Sequence, residues 1–191
     1  MLGTGTARLL AAQEPRLLAR LPAGLATATQ RLIDSAASDG LPVEPLIQKA
    51  LEGESKGADS ARIVQAVQAL LERLRVARRS LGGATEPELV AAAAALRAGA
   101  SPATLGALRA LRPNQTLVVP LSVLADIIAA GMTPERAWNS VREMASTGAG
   151  DAAFLALRDR LTNAPSTSEL LPPPARRPPS EAPPASRPVR P

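Results

Sequence analysis

The chain contains no histidine and no cysteine. Disulfides, thiolate catalysis, imidazole general bases and nearly every transition-metal site are therefore excluded. The missing cysteines do not fix a redox compartment, because oxidising and reducing compartments both hold cysteine-free proteins. There is one tryptophan, one phenylalanine and no tyrosine. Almost nothing is left on which a base, a sugar or a flavin could stack. No apolar run approaches the ~20 residues needed to cross a bilayer. Lysine is scarce as well: two lysines stand against twenty arginines, for a net charge of +5 over 191 residues. That charge permits contact with an acidic surface without requiring it.

What remains is leucine, alanine, valine and isoleucine at helical spacing. The strongest signal lies between Asp59 and Gly82. Ile63, Val67, Leu70, Leu74, Ala77 and Leu81 recur at steps of three and four, which keeps them on one face of a helix. Val64, Ala66 and Leu71 widen that stripe. Leu70 and Leu74 are expected to be almost fully buried. Asp59 suits the N-cap and Gly82 the C-cap, and the helix between them would be roughly 34 Å long at ~1.5 Å per residue. Shorter helices are expected around it at Thr6–Ala12, Pro15–Leu21, Leu25–Ala37, Pro42–Leu51, Glu86–Ala98, Pro102–Leu111, Pro120–Ala130, Pro134–Ser146 and Asp151–Thr162. Thr85 and Glu88 have the spacing of a capping box. Gln115–Val119 reads as extended, partly because proline at 120 disfavours the helical conformation in the residue before it.

One junction recurs. Gly57-Ala-Asp59, Gly99-Ala-Ser101 and Gly131-Met-Thr133 each place a helix-ending glycine, one apolar residue, then a capping side chain. Gly40-Leu-Pro42 and Gly148-Ala-Gly150 are looser copies. The spacings between these glycines are 17, 42, 32 and 17 residues, so the pattern is a quasi-repeat of tight corners and no solenoid of fixed period. The expected fold is all-α: a compact array of short antiparallel helices with glycine-capped corners over residues 1–163. Residues 164–191 hold ten prolines and read as a disordered Pro/Arg-rich tail. Ending the chain after Asn163 should leave the melting temperature and the helical circular dichroism nearly unchanged. A large loss of stability would move the domain boundary.

No catalytic constellation emerges, so the chain reads as a non-enzyme without cofactor or metal. Gly53–Gly57 lacks the glycine spacing and Lys-Ser/Thr pair of a phosphate loop, and it follows a helix. Ser55 and Lys56 are mere sequence neighbours on a turn. Glu52 with Glu54, and Glu86 with Glu88, read as solvated helix ends. Trp138, Met144 and Phe154 sit at helical spacing beside Val141 and Leu157 and read as core. The residues offered for partner contact are Arg75, Arg78 and Arg79 at the end of the long helix, and Arg136, Asn139 and Arg142 on Pro134–Ser146. The leading function is a helical scaffold or adaptor that binds protein partners.

The alternative is a helix-turn-helix DNA reader. Ala95, Gly99, Ala100, Leu105 and Leu108 fit its packing positions; Ile127, Gly131, Met132, Ala137 and Ser140 fit less well. Base reading needs Arg, Asn, Gln or Lys aimed at base edges. Pro102–Leu111 offers only Arg109, while Pro134–Ser146 offers Arg136, Asn139 and Arg142. The same corner recurs before helices that carry no such set, so tight helix packing accounts for it and nucleic acid is the weaker expectation. The first residues, MLGTGTARLLAAQEPR, read as a short helix of a cytoplasmic protein. The other reading is a start downstream of the true one, which would point to export and a structural role in the cell envelope.

Overall fold

The computed structural model describes residues 21–163. The expected helices at 6–12 and 15–21 and the proline-rich tail lie outside the described residues, apart from Leu21. The described residues form eight helices and no strand. They are α1 (Ala23–Ser38), α2 (Glu44–Ser55), α3 (Ser60–Leu81), α4 (Glu86–Ala98), α5 (Pro102–Leu111), α6 (Val118–Ala129), α7 (Pro134–Ser146) and α8 (Asp151–Thr162). The protein is all-α, with its helices packed directly on one another. No helix among the described residues is long and apolar enough to cross a membrane.

The long helix α3 buries Ile63, Val67, Leu71, Leu74, Ala77 and Leu81. Leu71 thus takes the place expected for Leu70, which is only partly buried, and Ala66 is exposed. Adjacent leucines on a helix are ~100° apart, so the orientation that seats one against the neighbouring helices turns the other toward the rim. Asp59 accepts a hydrogen bond from the backbone N–H of Arg62 at 2.9 Å, and Gly82 ends the helix at φ +67°.

α1, α2, α4 and α5 all pack on α3. The later helices follow a second hub. The most extensive helix pair is α4 with α6, and α6 also receives α7 and α8. α6 buries seven of its twelve residues. It begins at Val118, inside the segment expected to be extended. Pro120 falls in its first turn, where the missing N–H leaves no intrahelical bond unmade and helical φ is already set.

Four corners share one hydrogen-bond pattern. The N–H groups of Leu41, Ala58, Ala100 and Met132 reach the carbonyls of Ala36, Gly53, Ala95 and Ile127 at 2.9–3.2 Å. The glycine before each bonds the carbonyl three residues back. This is the Schellman arrangement, and it gives the recurring apolar residue after the glycine its place: Leu41 and Ala100 are buried, Ala58 and Met132 partly so. The glycine carries φ +67° at Gly57, a conformation that a Cβ disfavours. The capping half of the pattern is less uniform. Ser101 accepts from the Thr104 N–H at 3.1 Å, whereas Thr133 makes no such bond.

Gly53 has a different use. It lies inside α2 and does not end it. A Cβ built there would stand 2.7 Å from Cγ1 of Ile63, so its absence lets α2 and α3 approach closely.

Candidate interaction groove

The six side chains singled out for partner contact fall into three groups. Arg75 is occupied: it pairs with Asp39 at 2.7 Å and Glu72 at 2.5 Å and donates to the Ser35 hydroxyl at 2.7 Å. Arg78 donates to the Gly40 carbonyl at 2.7 Å. Both fasten the α1 corner onto α3. Arg79 is exposed at the end of α3. Arg136, Asn139 and Arg142 are exposed on the outer side of α7, far in sequence from the α3 group. The structure does not bring the two sets into one described cleft.

Two buried charges lie elsewhere. Glu88, expected to be solvated, is buried at 4% exposure. Its carboxylate accepts from the backbone N–H of Thr85 at 2.9 Å, the Thr85 hydroxyl at 3.1 Å, the Arg109 guanidinium at 2.8 Å and the backbone N–H of Leu117 at 3.0 Å. Burial pushes its pKa up, but these donors outweigh that and hold it below the ordinary value. The capping-box spacing thus became a staple joining the starts of α4 and α6 to α5. Arg109, the one base-reading candidate on α5, is spent on this staple and on the carbonyl of Gln115. Arg112, at the end of α5, is also buried. It donates to the Ala149 carbonyl at 2.7 Å and lies 5.1 Å from the centroid of the Phe154 ring. Phe154 is fully buried, as expected, while Trp138 and Met144 are only partly so.

The concave surface of the molecule that carries unspent chemistry lies over α4. Two clefts of about 580 and 500 Å³ share Pro45, Val90 and Ala94 and so form one continuous groove. Its floor is the outer stripe of α4, Glu86, Val90, Ala94 and Arg97, with spacings of four, four and three. α2 and α3 wall one side through Lys49, Leu70 and Arg73. α6 closes the other through Val118 and Ser122. Val90 is 41% exposed, one of three large apolar side chains left in solvent among the described residues.

The groove is polarised. Arg73, Arg97 and Lys49, the lysine paired with Glu52, stand at one end, and Glu44 and Glu86 at the other. Lys49 shares Glu52 with Lys56, and the two ammonium groups draw the Glu52 carboxyl down to about 2. Arg73 and Arg97 make no ion pair or hydrogen bond among the described residues, and the Nε of Arg73 is buried without a partner. Arg73 and Arg97 line the same cleft, and burial, with the charge of Arg97 after it, lowers the pKa of Arg73. No group of acidic side chains among the described residues is arranged to hold a metal ion.

No protein-family model, no curated protein and no solved structure matches this chain.

Proposed function

We propose that the protein is a non-catalytic helical scaffold that binds a protein partner through the groove over α4. The observation that carries this reading is Val90, held in solvent on the floor of a walled, mostly apolar cleft. A contiguous apolar patch with a polar rim is the form a binding surface takes. Alanine at the neighbouring position 94 lets a partner backbone come close. Arg73 and Arg97 supply the kind of charged rim that selects among partners.

The full chain, immobilised, should retain a protein from its native cell. The Val90→Asp variant should lose that capture with its helical circular dichroism unchanged, since Val90 already faces water. Equal capture by Val90→Asp would remove the groove from the reading.

A further inference from the structure

We infer that the occupant of this groove is a single amphipathic helix of about three turns, running antiparallel to α4, with acidic residues in its first turn and basic residues in its last. The inference rests on the binding role proposed above and adds the chemistry and direction of the partner. Three observations carry it.

The first is length. The floor runs from Glu86 to Arg97, twelve residues whose eleven steps span roughly 16 Å at ~1.5 Å per residue. Three helical turns span the same distance. The groove-lining positions Glu86, Val90, Ala94 and Arg97 step by four, four and three, the spacing into which the ridge of another helix fits.

The second is charge. The cationic end lies at the C-terminal end of α4 and the acidic end at its N-terminal start. A helix is stabilised by Asp or Glu in its first turn and by Lys or Arg in its last. Laid antiparallel, such a helix brings its acidic first turn to Arg73 and Arg97 and its basic last turn to Glu44 and Glu86. Laid parallel, it would meet like charge at both ends. The two arginines, lining one cleft and without an ion-pair partner among the described residues, are the strongest determinant. A carboxylate placed between them relieves their mutual repulsion.

The third is shape, which separates a foreign helix from a second copy of this chain. α4 forms the floor of the groove, below walls built by α2, α3 and α6. A second copy pairing symmetrically through this face would offer the same recessed stripe, and two concave faces cannot close on each other. The partner must project.

Two synthetic fourteen-residue helices of identical composition test this. Both carry leucine and alanine at helical spacing; one begins with glutamates and ends with lysines, and the other has the order reversed. Each is titrated into the ¹⁵N-labelled full chain. The acid-first peptide should shift the amides of Arg73, Val90, Ala94 and Arg97, and should bind at least tenfold more tightly than the base-first peptide. Arg97→Glu, at an exposed position, should erase the preference, and Arg73→Glu with Arg97→Glu should invert it. Equal binding by both peptides, a preference untouched by Arg97→Glu, or no shift in the groove overturns the inference. So does release of residues 1–20 or 164–191 when peptide is added, since the occupant would then be the chain's own segment. If the native capture above depends on Val90 while the peptides bind alike, the scaffold reading stands and this inference alone fails. If the full chain captures nothing, the scaffold reading fails first.

Discussion

Replacing Glu88 with alanine should cost the protein about 3–5 kcal/mol, the range for breaking a buried ion pair by removing one partner. The carboxylate side chain is 5% exposed and that of Arg109 20%, so water can replace little of what is lost. Arg109 and the backbone N–H of Leu117 would be left in a poorly solvated place without their acceptor. Glu86→Ala, two residues away and exposed, is the control and should change stability by no more than about 0.5 kcal/mol. Chemical denaturation of the two variants against the parent measures both. If the two variants unfold alike, Glu88 is not a staple.

The same residue sets a pH dependence. Its folded-state pKa lies below the ordinary value of 4.5, because the hydrogen-bond donors overcome the upward push of burial. A group whose folded value is lowered contributes stability that is present above the unfolded pKa. That contribution fades as the pH falls below about 4.5 and through the folded value. Acid titration of the parent should therefore show a larger loss of stability in this range than Glu88→Ala, in which Glu52 still titrates.

Leu74→Ala should cost about 2–5 kcal/mol, the range for emptying a fully buried leucine site. Leu74 has no exposed surface and sits on the helix against which α1, α2, α4 and α5 all pack. Walls supplied by several helices resist collapsing into a cavity, which favours the upper part of that range. For a chain of this length the melting temperature should fall by roughly 5–20 °C, at about 2–4 °C per kcal/mol. A parent-like melting curve would contradict the packing described for α3.

Much of this fold was legible from residue spacing, and the parts that were not share a cause. Helix ends were read well where a glycine, a proline or a capping side chain marked them: α4, α5, α7 and α8 begin and end where expected. Periodicity failed where two apolar residues stand side by side. Leu70 and Leu71 are one such pair, and Leu89 and Val90 another. Both members satisfy a helical stripe, and only the seating of the neighbouring helices decides which turns inward. In each pair one residue, Leu71 or Leu89, went to the core. The displaced members, Leu70 and Val90, both line the groove. The candidate site thus includes Leu70, a side chain that the sequence pattern assigned to the interior. Its cations were missed for a related reason. Arg73 looked like one more arginine in a crowded helix end. Its distinction from Arg75 and Arg78 lies in which carboxylates and carbonyls α1 brings to them, and α1 is some forty residues away.

Glu88 was missed because the capping-box spacing describes only its local partner. The donors from Arg109 and Leu117 arrive 21 and 29 residues later in the chain. Burial of a carboxylate depends on those distant groups and leaves no local mark.

The two hubs bear on how the molecule comes apart. α3 gathers the early helices and α6 the later ones, with α4 and α5 packed between them. Trp138, the one tryptophan, lies on α7 in the later group. Its emission therefore watches one half of the array, while circular dichroism watches all of it. Losing the later half withdraws the Leu117 donor from the carboxylate that holds α4, α5 and α6 together. The halves are coupled through α4, which packs on both hubs, with the Glu88 carboxylate as a polar link beside that packing, and the two optical transitions should coincide in the parent.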